Sequence, residues 1–162
     1  MRALLFRIIY FFVFFGTSTI AGMLIPFLQY KGFDPIQTGS LISLFTLSGL
    51  VGLFSIGYFC DKLKTIKKVL FPSLIITTIT GAIAILFNKG VVFYIGFFLM
   101  GLFNSMLGPL CDSWIMESSD DIKVKFGQLR AFGSVGWAFG VLIVGFVISN
   151  LGYKYVTFIY VG

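Results

Sequence analysis

Apolar residues in this chain run together for about twenty positions at a time, and short charged stretches divide the runs. The uncharged runs cover about Ile8–Tyr30, Pro35–Cys60, Val69–Phe87, Val91–Met116 and Gly127–Asn150. Residues 153–162 begin a sixth that the chain does not complete. A helix needs about 20 apolar residues to cross the hydrocarbon core of a bilayer. Runs this long without alternation exclude barrel strands, so backbone hydrogen bonding in lipid requires helices. The pattern predicts an all-α polytopic membrane protein with five spanning helices and the start of a sixth. Short connections predict that consecutive helices are antiparallel neighbours.

The breaks between runs carry their own signals. Asp34-Pro35 is an N-cap followed by proline at the first helical position. Asn88-Lys89-Gly90 reads as a tight turn. Gly49 with Gly52, and Gly133 with Gly136 and Gly140, give two helices thin faces for close packing. The phenylalanines of the first run (Phe11, Phe12, Phe14 and Phe15) read as lipid-facing filler.

Composition agrees with this reading. The chain has 162 residues, 58% of them hydrophobic and 11% charged, more apolar surface than a soluble domain of this size can bury. The net charge of +6 does not point to nucleic acid, because the cations fall between the apolar runs. One side carries Arg2, Arg7, Lys62, Lys64, Lys67, Lys68, Lys123, Lys125 and Arg130; the other carries Lys31, Lys89 and Lys154. The positive-inside rule then places the N-terminus in the cytoplasm of a multi-pass cell membrane protein. The N-terminal stretch Met1–Arg7 resembles the start of a signal peptide, but the run after it is too long and lacks a cleavage site, so it reads as a retained span. Cys60 and Cys111 read as small apolar fillers. There is no histidine, which excludes a histidine-based metal site, general base or proton relay within the chain. No nucleophile–base or metal-ligand cluster is present, so neither an enzyme nor a cofactor is expected.

Two opposite charges enter the hydrophobic runs from one end. Asp112 and Arg130 lie nine positions to either side of residue 121, the middle of a short loop. In a tight hairpin such mirror positions share a depth, and intramembrane charges tend to pair and to mark sites. The plainer alternative is that Asp112 ends one helix and Arg130 anchors the next. Against it, Arg130, Ser134 and Trp137 fall on one face of a helix, and Asn104, Ser105, Gly108 and Asp112 form a stripe on the preceding one. Pro109, one turn before Asp112, is expected to break its helix and free backbone groups beside the acid. Trp137 lies deeper than an interfacial belt residue, where it either packs against a helix or stacks on a ligand ring.

Phe126-Gly-Gln-Leu-Arg130-Ala-Phe-Gly-Ser134-Val-Gly-Trp137 resembles the fifth helix of the lactose permease branch of the major facilitator superfamily. Pro109-Leu-Cys-Asp112 resembles its fourth helix, where the acid is commonly Glu. Gly57-Tyr-Phe-Cys-Asp61-Lys62 resembles the superfamily's loop signature, in which the acid engages a neighbouring helix and helps hold one gating state. The chain departs from these patterns at Lys64 and Thr65 in the loop. It also has Ser134 where the permease has Cys, and Gln128 where it has Arg.

The resemblance implies that Asp112 and Arg130 bind substrate hydroxyls, that Trp137 stacks on a sugar ring, and that transport is coupled to protons. It places Ser134 beside that site and Gly57, Asp61 and Lys62 in a gating loop. It also implies a twelve-helix architecture in two halves, of which this chain supplies the first. The expected partners are the bilayer, a small solute and a C-terminal six-helix half, with the proton as coupling ion. The chain alone is then expected to be inactive. A nucleoside or aromatic-acid permease of the same fold, and a non-transporting membrane assembly or remnant protein, stand as alternatives.

Overall fold

The computed structural model describes residues 2–87, 90–152 and 155. Its elements are α1 (Arg2–Ala21), α2 (Leu24–Tyr30), α3 (Pro35–Leu63), α4 (Lys67–Leu86), α5 (Val91–Met116), α6 (Asp120–Lys123) and α7 (Phe126–Leu151). Among the described residues, five segments are long and apolar enough to cross a membrane: α1 with α2, then α3, α4, α5 and α7. The Asn88-Lys89 part of the expected turn, Lys154, and the sixth run apart from Tyr155 lie outside the described residues.

Proline and the caps set several boundaries. The first run is two helices rather than one. Pro26 has no N–H to offer the Gly22 carbonyl, and it falls in the first turn of α2, where an intrahelical donor is not needed. Asp34 caps α3 through a capping box: its Oδ1 accepts from the Gln37 backbone N–H at 2.7 Å, and Gln37 Oε1 accepts from the Asp34 N–H at 3.3 Å. At the far end of α3, Lys64 turns the chain with a left-handed φ of 52°. Pro72 and Pro109 both lie inside continuous helices. Pro109 therefore does not break α5 as the sequence suggested. It only leaves the Ser105 carbonyl without its usual backbone donor.

Neighbour relations depart from the hairpin expectation. α5 packs along α3 and α4, and α1 packs along α7. Glycines make both approaches close. A Cβ at Gly52 would strike the Leu102 backbone, and one at Gly49 would strike the Ser105 hydroxyl. On the other pair, a Cβ at Gly136 would strike the Phe11 backbone, and one at Gly140 the Ser18 hydroxyl. α1 thus takes the place beside α7 that loop length alone would give to α5. The two groups join where α1 meets α5: the Phe6 ring meets Trp114 edge-on at 5.2 Å, and Phe14 approaches Gly108.

The first-run phenylalanines are not uniformly lipid-facing. Phe14 packs on Gly133 and Phe11 lies against Phe139, whereas Phe12 is 63% exposed. An apolar helix with no polar face leaves its inward side unspecified by pattern.

Two apolar clusters fill the ends of the bundle. One gathers Tyr10, Leu70, Leu110, Ile115, Ile122 and Leu129; the other gathers Leu28, Phe33, Leu41, Phe93 and Phe97. Cys60 and Cys111 are both free thiols. Beyond the first span, Lys31 Nζ donates to the Phe87 carbonyl at 3.0 Å and lies over the Phe27 ring, and burial pushes its ammonium pKa down.

Candidate functional site

The Asp112 carboxylate stands where α1, α5 and α7 meet. Arg130 Nη1 lies 3.4 Å from its Oδ2, so the two charges that enter from one end do form a pair. They do so by side-chain reach, since their helices are not close packing partners. The Tyr10 hydroxyl of α1 donates to Asp112 Oδ1 at 2.6 Å. Tyr10 is fully buried and its ring stacks on Phe14. Both carboxylate oxygens are thus engaged, one by a neutral donor and one by a cation.

Tyr10 was not among the residues that the sequence singled out. The available signal was a tyrosine within a run of phenylalanines, because a buried tyrosine hydroxyl generally finds a partner.

Exposure differs sharply within this group. The Arg130 side chain is 61% exposed and that of Asp112 27%. The guanidinium also lies 5.9 Å above the Phe126 ring. Arg130, Ser134 and Trp137 share the open face of α7, and Trp137 is 36% exposed. The Ser134 hydroxyl makes no hydrogen bond among the described residues and is not brought to the ion pair.

A cavity of about 200 Å³ lies deeper along the same helices. Phe14, Pro109 and Trp137 wall it, with Asn104 and Thr17 as polar lining. The α5 stripe and Trp137 therefore meet at this cavity. Asp112 and Arg130 lie nearer the helix ends and do not line it.

The loop residues Gly57, Asp61 and Lys62 lie in the last two turns of α3 and are exposed. Lys62 Nζ lies 5.7 Å from the Tyr58 ring centre. Asp61 forms no ion pair among the described residues, so the structure does not join it to a neighbouring helix.

The family profile of the Major Facilitator Superfamily matches residues 7–162. The chain belongs to the Major Facilitator Superfamily. With five helices able to span a bilayer, it is a membrane protein. Its relatives include the maltose permease of Geobacillus stearothermophilus, 23% identical over 153 residues, covering 94% of this chain and 39% of the permease. The uncharacterized transporter YwbF of Bacillus subtilis (strain 168) is 28% identical over 155 residues, covering 93% of this chain and 38% of the transporter. The chain thus spans about two fifths of the length of these relatives. No solved structure gives a significant match.

Proposed function

We propose that this superfamily chain serves membrane transport rather than catalysis, as the N-terminal half of a proton-coupled symporter for a sugar, an oligosaccharide or a similar small polar solute. The observation that carries this reading is the Tyr10–Asp112–Arg130 constellation beside a cavity walled by Trp137. A carboxylate accepts from sugar hydroxyls, a guanidinium donates to them, and an indole covers the C–H face of the ring. The relatives' names, a maltose permease and a transporter, support the transport class. The proton as coupling ion rests on the resemblance of the Phe126–Trp137 stretch to the lactose permease branch.

In this reading Asp112, Arg130 and Trp137 hold the solute, with Ser134 beside them on α7. Gly57, Asp61 and Lys62 act in gating, through contacts with the bundle that completes the carrier. That bundle is a C-terminal six-helix half. The excess of cations at one end of the helices supports a cell-membrane orientation with the N-terminus in the cytoplasm.

A nucleoside or aromatic acid is the second reading. The apolar walls formed by Val13, Phe14 and Leu107 favour it, since they would suit a planar ring. Equilibrium binding to the reconstituted chain separates the two. We expect galactosides or glucosides to bind and nucleosides not to compete. We expect Arg130→Lys, which keeps the charge and loses the planar fork, to weaken binding about tenfold. Competition by nucleosides alone would transfer the site to the second reading.

A further inference from the structure

Asn104 lies midway along α5 and lines the cavity between α1 and α7. It is only partly exposed, and its carboxamide has no hydrogen-bond partner among the described residues. The other polar groups at the cavity are committed. Thr17 Oγ1 donates to the Phe14 carbonyl at 3.1 Å, and Ser105 Oγ donates to the Gly101 carbonyl at 2.9 Å while turned toward Gly49. Their protons are used within their own helices. Asn104 alone among these three presents donors and an acceptor together toward the space. An amide left unmatched at mid-membrane depth is unfavourable. A polar ligand that enters the cavity relieves that cost.

We infer that Asn104 is a specificity-determining residue of this site, reading an adjacent donor and acceptor on the ligand ring that sits between Phe14 and Trp137. Two neighbouring hydroxyls of a pyranose supply such a pair: one accepts from the amide N–H₂, and the next donates to the amide oxygen. The position separates its role from that of the ion pair. Asn104 precedes Asp112 by eight residues, about 12 Å of helix at the usual rise. The ion pair lies outside the cavity, so Asn104 reads the hydroxyls of the ring held within it, and Asp112 and Arg130 meet only solute groups that extend beyond that ring. The room is limited: about 200 Å³ falls below the usual range of small-molecule pockets, about 300 to 1,000 Å³. One ring fills it, and the carboxamide is therefore in reach of that ring.

This assignment rests on the sugar reading, and one experiment distinguishes the failure of each. The chain is reconstituted in lipid nanodiscs, and binding is measured for methyl α-D-glucopyranoside, methyl α-D-galactopyranoside and their monodeoxy analogues. Asn104→Leu keeps the volume and removes the amide; Asn104→Gln keeps the amide and moves it by one methylene. We expect the unmodified chain to bind at least one monodeoxy analogue about tenfold more weakly than its parent. In Asn104→Leu that preference falls to about twofold or less, while preferences at the other ring positions stay. Asn104→Gln restores part of it. Unmoved thermal unfolding of both variants shows that the loss is local. Unchanged discrimination at every position in Asn104→Leu overturns the assignment and leaves the sugar reading standing. Absence of binding by every glycoside to the unmodified chain overturns both.

Discussion

Asp112 carries one hydrogen bond from a neutral hydroxyl and one ion pair, and the two contacts have different characters. Tyr10 is wholly buried and holds Oδ1 at 2.6 Å, a short distance expected for an O–H donor to an ionised acceptor. Arg130 stands at 3.4 Å and is largely exposed. The tyrosine is the close, buried partner of the carboxylate, and the arginine is the looser, exposed one. Hydrogen bonds to charged groups contribute about 1.5 to 3 kcal/mol in soluble proteins, whereas interhelical bonds measured in a membrane average about 0.6 and reach about 1.7. The membrane scale governs here, at its upper end because the bond is short and its acceptor also faces a guanidinium. A double-mutant cycle of Tyr10→Phe and Asp112→Ala, read by thermal unfolding in detergent, should therefore give a coupling near 1.5 kcal/mol. A coupling near zero would mean that Tyr10 does not hold the acid. The sequence made the Asp112/Arg130 pair visible through mirror spacing about a loop. It could not make Tyr10 visible, because nothing in an unbroken apolar run says which side of the helix turns inward.

At the scale of helices, glycine position decides which pairs come close. Gly136 lies where a Cβ would overlap the Phe11 backbone, and a backbone cannot move aside as a flexible side chain can. Gly39 lies on the exposed face of α3 with nothing within 4 Å. Both are helical, so the propensity gain of alanine, about 1 kcal/mol, is common to them. The difference is therefore packing alone. Gly136→Ala should destabilise by about 1 to 3 kcal/mol, as overpacking does, and Gly39→Ala should be neutral or slightly stabilising. Thermal unfolding of the two variants side by side tests this, and equal behaviour would show that α1 and α7 are not held together at Gly136.

The spans, the Asp34 cap and the thin glycine faces were legible in the sequence, since each is a local property of length, residue type or spacing. The partner of each thin face was not. Loop length suggested α5 beside α7, but α1 fits the Gly133–Gly136–Gly140 face, and that is a matter of shape across 120 residues of chain. Pro109 misled for a related reason: a proline removes one backbone bond, and a helix packed on both α3 and α4 keeps its course without it.

For the whole molecule, the distribution of polar exposure sets what the chain can do by itself. Arg130, Ser134 and Trp137 lie on the open face of α7, and α3 leaves Ser40, Ser43 and Thr46 exposed along its length. Each of these α3 hydroxyls is satisfied by a carbonyl of its own helix, so the face tolerates apolar surroundings without requiring them. A guanidinium facing lipid is a different matter, costing about 2.5 to 3.5 kcal/mol at the centre of a span and less toward its ends. That cost is relieved if the α7 face lines a wet cavity between two bundles. Coupled transport also needs two bundles that rock about a shared site. We therefore expect vesicles containing this chain alone to bind glycosides without accumulating them under an imposed proton gradient. Radiolabelled uptake checks this directly. Accumulation above the external concentration, abolished by an uncoupler, would show that the chain completes the site with copies of itself and would overturn the half-carrier reading. If glycosides bind without accumulating, the reading stands, and Asp112 and Arg130 remain one wall of a site closed by a second bundle.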